Sequence, residues 1–228
     1  MVQLKVLLGC VCLCASMLSV TGPVSARKAS SPLKVAILDG AYVRAKDVRN
    51  HKNLTKPSHS ATEHARSVES MVTHGFKGKP VVFKEIGIFD SELSVSTPNF
   101  QRAIRICMHE KYKVINFSGG FNFSDVGTEL LINEFTHSGG VMIAAAGNTY
   151  GVGTDFPANQ RNVVSVGGLL HGKVAYYSAS KKVNRWRNGS CGKNFGTSFA
   201  TPRYTNSLIK ASIKAPKKPL VEVVKCTE

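Results

Sequence analysis

Gly196-Thr197-Ser198-Phe199-Ala200-Thr201-Pro202 is the stretch on which the reading of this chain turns. Its glycine permits tight backbone approach, and Ser198 opens a helical pattern that runs through Leu208 to Ala215. A hydroxyl at a helix N-terminus feels the positive end of the helix dipole, and nearby backbone N–H groups can stabilise an oxyanion. Helix capping accounts for a threonine or serine at such a place. It does not account for the whole seven-residue string.

Upstream of that string, short apolar runs alternate with helical patterns. Residues 33–38 form an apolar run ending at Asp39-Gly40, which predicts a buried strand. Further strands are predicted over 81–89, 113–117, 141–145 and 162–166, and the turn Ser118-Gly119-Gly120 follows the second of these. Helical spacing marks 60–73, where Ala65, Val68, Met71 and Val72 share a face. It also marks 99–112, where Phe100, Ala103, Ile104 and Cys107 do, and 124–137. Strands separated by helices of this length predict βαβ units. The expected fold class is α/β: three layers, a mostly parallel β-sheet with helices on both faces. Nothing repeats at a fixed period and no low-complexity linker interrupts the chain, so one domain is expected. Ligand sites in such sheets collect beyond the carboxyl ends of the strands. Asp39, Ser118 and Asn148 fall at or just past three of those ends.

Two more residues acquire meaning from this layout. Asp39 ends an apolar strand, where a carboxylate is costly to bury unless paired. A histidine is its natural partner, since the carboxylate can orient the ring and offset its charge. His64 stands near the start of the 60–73 helix, with Val68 four residues on directed to the core. Taken singly, Asp39 reads equally as a turn former and His64 as a structural histidine.

Together the segments resemble one family. Gly-Thr-Ser-x-Ala-Thr-Pro at 196–202 is similar to the nucleophile motif of the subtilisin-like serine peptidases, the subtilase family (peptidase S8). The order Asp39, His64, Ser198 is that family's order, as in subtilisin itself. Val141 through Asn148 resembles the family strand ending Ala-Ala-Gly-Asn, and Val114 through Gly120 its strand and Ser-x-Gly turn. Phe156-Pro157-Ala158 followed by Asn162 through Gly167 matches a further stretch in the right order. The resemblance spans residues 33 to about 211.

It implies a serine endopeptidase with catalytic Asp39, His64 and Ser198, Asn148 in the oxyanion hole, and Ser118, Gly119 and Gly120 pairing an extended polypeptide substrate. No cofactor and no metal is expected, because no insertion resembling the family's calcium loop follows the His64 helix. Departures from the pattern point to the alternative, a catalytically weak or inactive subtilisin-fold peptide-binding protein. The family's His-Gly-Thr-His-Val is here His64-Ala65-Arg66-Ser67-Val68, and Arg203-Tyr204 follow Pro202 where small or aliphatic residues are commoner.

Composition sets the surroundings. Met1 to Lys5 is a short positive start, residues 6–20 are largely apolar, and Val24-Ser25-Ala26 offers a small-x-small cleavage site. Residues 1–26 are therefore expected to be a signal peptide and 27–228 the peptidase domain, secreted or periplasmic, with no membrane span after signal removal. No pro-segment is evident between them, so the chain folds unaided or with a separate folding helper. Cys107, Cys191 and Cys226 lie beyond the signal, an odd number that permits at most one internal disulfide. The formal net charge is +16. No aromatic-interleaved strand accompanies it, so it reads as a solvated surface and no nucleic-acid partner is expected. Asn53, Asn116, Asn122 and Asn188 each begin an Asn-x-Ser/Thr sequon.

Overall fold

A computed structural model describes residues 31–41 and 50–227. The signal peptide expected over 1–26 lies outside them. In chain order the elements are β1 (Leu33–Gly40), β2 (His51–Asn53), α1 (His59–Thr73), β3 (Val81–Phe89), α2 (Thr97–His109), β4 (Val114–Phe117), α3 (Val126–His137), β5 (Val141–Ala145) and β6 (Val163–Leu170). There follow β7 (Lys173–Val174), β8 (Arg185–Asn188), β9 (Ser190–Cys191), β10 (Asn194–Phe195), α4 (Thr197–Lys214) and α5 (Leu220–Cys226).

The main sheet runs β2-β3-β1-β4-β5-β6-β7, with β8 also pairing β6. The ladders from β2 through β6 are parallel, β8 joins β6 in parallel, and only β7 is antiparallel. Side chains alternate across a strand, and here both faces are buried. Ala36, Leu38, Ile115, Phe117, Met142 and Ala144 point into one core, with Phe100 and Ile104 of α2 and Ile132 and Phe135 of α3. Val35, Ile37, Val114 and Ile143 point into the other, with Val68 and Val72 of α1 and Tyr204, Leu208 and Ile209 of α4. This is the three-layer α/β arrangement expected from the sequence. Each of the Val, Leu, Ile, Phe and Met side chains among them contributes about 1.5–3 kcal/mol on burial.

The helix starts are set by caps. Ser58 accepts from Ala61 N ahead of α1, Ser96 from Asn99 N ahead of α2, and Asp125 from Thr128 N at 2.7 Å ahead of α3. Asp125 makes the third helix start at 126, two residues later than the apolar spacing indicates. The second helix stops at His109 instead of 112. Lys111 adopts a left-handed φ of 61°, which turns the chain so that Tyr112 is buried beside β4. Strand β6 continues past 166 because Gly167 and Gly168 leave room for two rings. A Cβ there would sit 2.4 Å from the Trp186 ring or 2.8 Å from Tyr177 Oη.

Cys107 is buried in the core, Cys191 is partly buried and Cys226 is exposed, and all three are free thiols. Asn116 is fully buried and hydrogen-bonded, so its sequon is out of reach in the folded chain. Among the described residues no helix is long and apolar enough to cross a membrane.

Candidate active site

The carboxyl ends of β1, β4 and β5 open on one edge of the sheet, and α4 begins beneath it. Gly40 ends β1 against the first turn of α1: a Cβ on it would lie 1.9 Å from Ala61 O. Only glycine lets the helix approach this closely, and the next residues of that helix bring His64 over the strand end. Asp39 is 1% exposed. Its Oδ1 accepts from Gly40 N at 2.8 Å and from His64 Nδ1 at 2.7 Å, while Oδ2 is buried without a partner among the described residues.

The bond to Asp39 sets the imidazole. With Nδ1 donating, the neutral ring carries its free lone pair on Nε2. Phe89 and Phe199 flank the ring at centroid distances of 6.1 and 5.4 Å and leave its side chain 14% exposed. Burial is the largest influence on its pKa and lowers it. The Asp39 charge and the hydrogen bond to it outweigh that, and His64 titrates above its ordinary 6.5.

Ser198 lies in the first turn of α4, partly buried, beside the Phe199 that packs on the imidazole. The residue capping this helix is Gly196, and no side chain makes the cap bond. Thr197 is engaged elsewhere: its N–H and hydroxyl donate to Asn148 Oδ1 at 3.0 and 3.2 Å, and its oxygen accepts from Gly147 N at 3.2 Å. A backbone N–H can only donate, so the atom of Asn148 facing it must be the carbonyl oxygen. Among the described residues the Nδ2 donors therefore stay free, on a residue that lines the cleft with Ser198.

A polar seam ties this end of α4 to the sheet. Thr201 Oγ1 donates to Thr197 O at 2.8 Å, Thr205 Oγ1 to Asn116 Oδ1 at 2.8 Å, and Asn116 Nδ2 to Ser118 Oγ at 3.1 Å. Ser118 is thereby anchored with its side chain inward. Gly119 and Gly120 follow it on the rim, and their backbone groups make no hydrogen bond within the described residues. Two contiguous lobes, of about 870 and 570 Å³, meet where His64, Asn148 and Ser198 line both. Among the described residues no group of three or more His, Cys, Asp or Glu could hold a metal.

The subtilase family model matches residues 38–220 of the chain. This chain belongs to the subtilase family.

Solved subtilisin-fold proteases superpose on it. The prenylagaramide maturation protease PagA is 24% identical, with a TM-score of 0.66, 83% of this chain and 79% of that one covered. The protease domain of PatA, in a serine-to-alanine mutant, is 20% identical with a TM-score of 0.67, covering 84% and 85%. The patellamide maturation protease PatA is 22% identical with a TM-score of 0.65, covering 85% and 84%. At these identities the likeness concerns the fold. A comparison with curated proteins finds no match. Subtilases are serine peptidases, and the substrate class is polypeptide.

As a subtilase this chain departs from the family where the sequence indicated. Ala65, in place of the usual glycine, is fully buried on the inner face of α1, while Arg66 is exposed and lines the larger lobe with Glu63. Two participants had no mark in the sequence. Phe89 reads as the end of a strand, and its contact with His64 depends on α1 crossing that strand end. Asp155 lines the smaller lobe from a loop whose sequence shows only turn chemistry. Thr197 reads in the motif as a helix cap, and its hold on Asn148 is set by the fold.

Proposed function

We propose that this subtilase is a secreted serine endopeptidase that works through an acyl-enzyme on Ser198, with Asp39, His64 and Ser198 as its triad. The observation that carries this is the 2.7 Å bond from His64 Nδ1 to a buried Asp39, made in a cleft that Ser198 and the free Nδ2 of Asn148 also line. Ser198 Oγ attacks the peptide carbonyl as His64 Nε2 takes its proton. The same nitrogen then delivers the proton to the leaving amine. Asp39 stabilises the transient imidazolium and does not itself take the proton. Asn148 Nδ2 and the backbone N–H of Ser198 receive the oxyanion. Gly119 and Gly120 offer unpaired backbone to an extended substrate, which supplies affinity with little demand on side-chain identity. Export rests on the signal-like residues 1–26.

Labelling with a fluorophosphonate probe tests the proposal. The wild-type chain should be modified at Ser198, and Ser198→Ala should not be modified at all. A correctly folded wild type that stays unlabelled would refute it and favour a subtilisin-fold protein that binds peptides without cleaving them.

A further inference from the structure

The cleft contains one carboxylate that the proposed chemistry does not use. The backbone of Asp155 is tied into the loop between β5 and β6: its N–H donates to Ala146 O and its carbonyl accepts from Asn159 N, both at 2.9 Å. Its carboxylate makes no hydrogen bond or ion pair among the described residues. Two glycines leave the space it occupies. A Cβ on Gly147 would lie 2.3 Å from Asp155 Oδ2, and one on Gly120 would lie 2.8 Å from Asp155 Cβ.

Among the described residues Asp155 is the lone carboxylate lining the 570 Å³ lobe, and no lysine or arginine lines it. The chain has 30 Lys and Arg against 14 Asp and Glu, so cations are plentiful, yet none of the described ones pairs with this acid or lines its lobe. Burial raises its pKa, and no nearby positive charge counters that effect. An ion in this position is partly desolvated without compensation until something cationic arrives. A metal is a poor candidate, since among the described residues no cluster of ligating side chains surrounds it.

We propose that Asp155 determines specificity by receiving the lysine or arginine side chain of the residue whose carbonyl Ser198 attacks. The inference rests on the endopeptidase reading above. That residue has its carbonyl oxygen at Asn148 and its backbone along Gly119 and Gly120, so its side chain enters the lobe these groups rim. The walls there include Phe89, Val95 and Phe121. They suit the apolar stem of a lysine or arginine, with the charged head reaching the carboxylate.

The test is a set of peptides identical except at that residue, carrying Arg, Lys, Gln, Met or Phe. Values of kcat/KM are taken per site titrated with a fluorophosphonate. Arg and Lys should exceed Gln and Met by roughly 10²-fold or more, as expected for a charge paired out of water. Asp155→Asn should erase the ratio of Arg to Gln, measured the same way. A wild-type chain that labels at Ser198 but cleaves after Phe or Met as well as after Arg overturns this assignment alone, as does a preference that survives Asp155→Asn. A chain that neither labels nor cleaves any of the set overturns the endopeptidase reading as well.

Discussion

Asp39→Asn retains the shape of the buried site and removes its charge. Both bonds to this side chain, from Gly40 N and from His64 Nδ1, end on Oδ1. An asparagine can keep that oxygen in place and put its amide nitrogen where the unpartnered Oδ2 lies. The imidazole then keeps its orientation and tautomer and loses only the countercharge for its protonated form. Two unit charges about 4 Å apart interact by about 4 kcal/mol at an effective dielectric of about 20, which suits a ring this buried. The transition state carries that imidazolium, so kcat should fall about 10³-fold.

The pH dependence of the same variant is more discriminating. His64 acts as a base only when neutral, so activity rises with pH through its pKa. In the wild type that midpoint lies above 6.5, because Asp39 outweighs burial. In the variant only burial remains, and the midpoint should move below 6.5. Stability follows the same linkage with the opposite consequence. In the wild type the raised pKa stabilises the fold fully below pH 6.5, and this is lost as pH rises through the folded value. In the variant a penalty should set in as pH falls through 6.5, so the two chains differ most in acid. Rates of fluorophosphonate acylation and of peptide hydrolysis from about pH 5 to about pH 9 cover the imidazole range. Urea midpoints at both ends complete the set. A loss below tenfold, or an acid limb that stays put or moves upward, would refute the reasoning.

Asn148→Ala should lower kcat by on the order of 10²–10³ with little change in KM, the range established for such a donor in subtilisin itself. Steady-state kinetics at saturating peptide will show whether the loss falls on kcat. Gly40→Ala would place a methyl 1.9 Å from Ala61 O and force α1 away from β1. It should cost about 1–3 kcal/mol by urea denaturation and also break the bond between His64 and Asp39, lowering activity far more than that loss of stability alone would.

The elements legible in the sequence are those whose burial is organised by their own periodicity. β1, β3, β5 and α1 have apolar residues on faces that need no knowledge of a partner, and their limits in the structure fall within two residues of the pattern. β2 and β8 do not. His51-Lys52-Asn53 is polar and pairs only because β3 presents an open edge. Arg185-Trp186-Arg187-Asn188 is held by β6 on one side, and its two arginines lie over the Tyr204 ring at 5.9 and 5.2 Å. Such segments become strands through neighbours far along the chain, and nothing local marks them. The candidate site divides in the same way. Asp39 and Ser198 announce themselves by standing at the junction of an apolar element and a turn. The setting of Asp155 is made by Gly147, earlier in its own loop, and by Gly120, after β4, and comes into view only when the loops after β4 and β5 are side by side.

The grip of Thr197 on Asn148 has a consequence for how the cleft meets its first ligand. An amide held at its oxygen by two donors cannot flip, since the flip would set N–H against N–H. Its polarity is therefore decided in the empty cleft, and no part of the binding free energy is diverted into turning it. What remains for an incoming chain to organise is its own backbone.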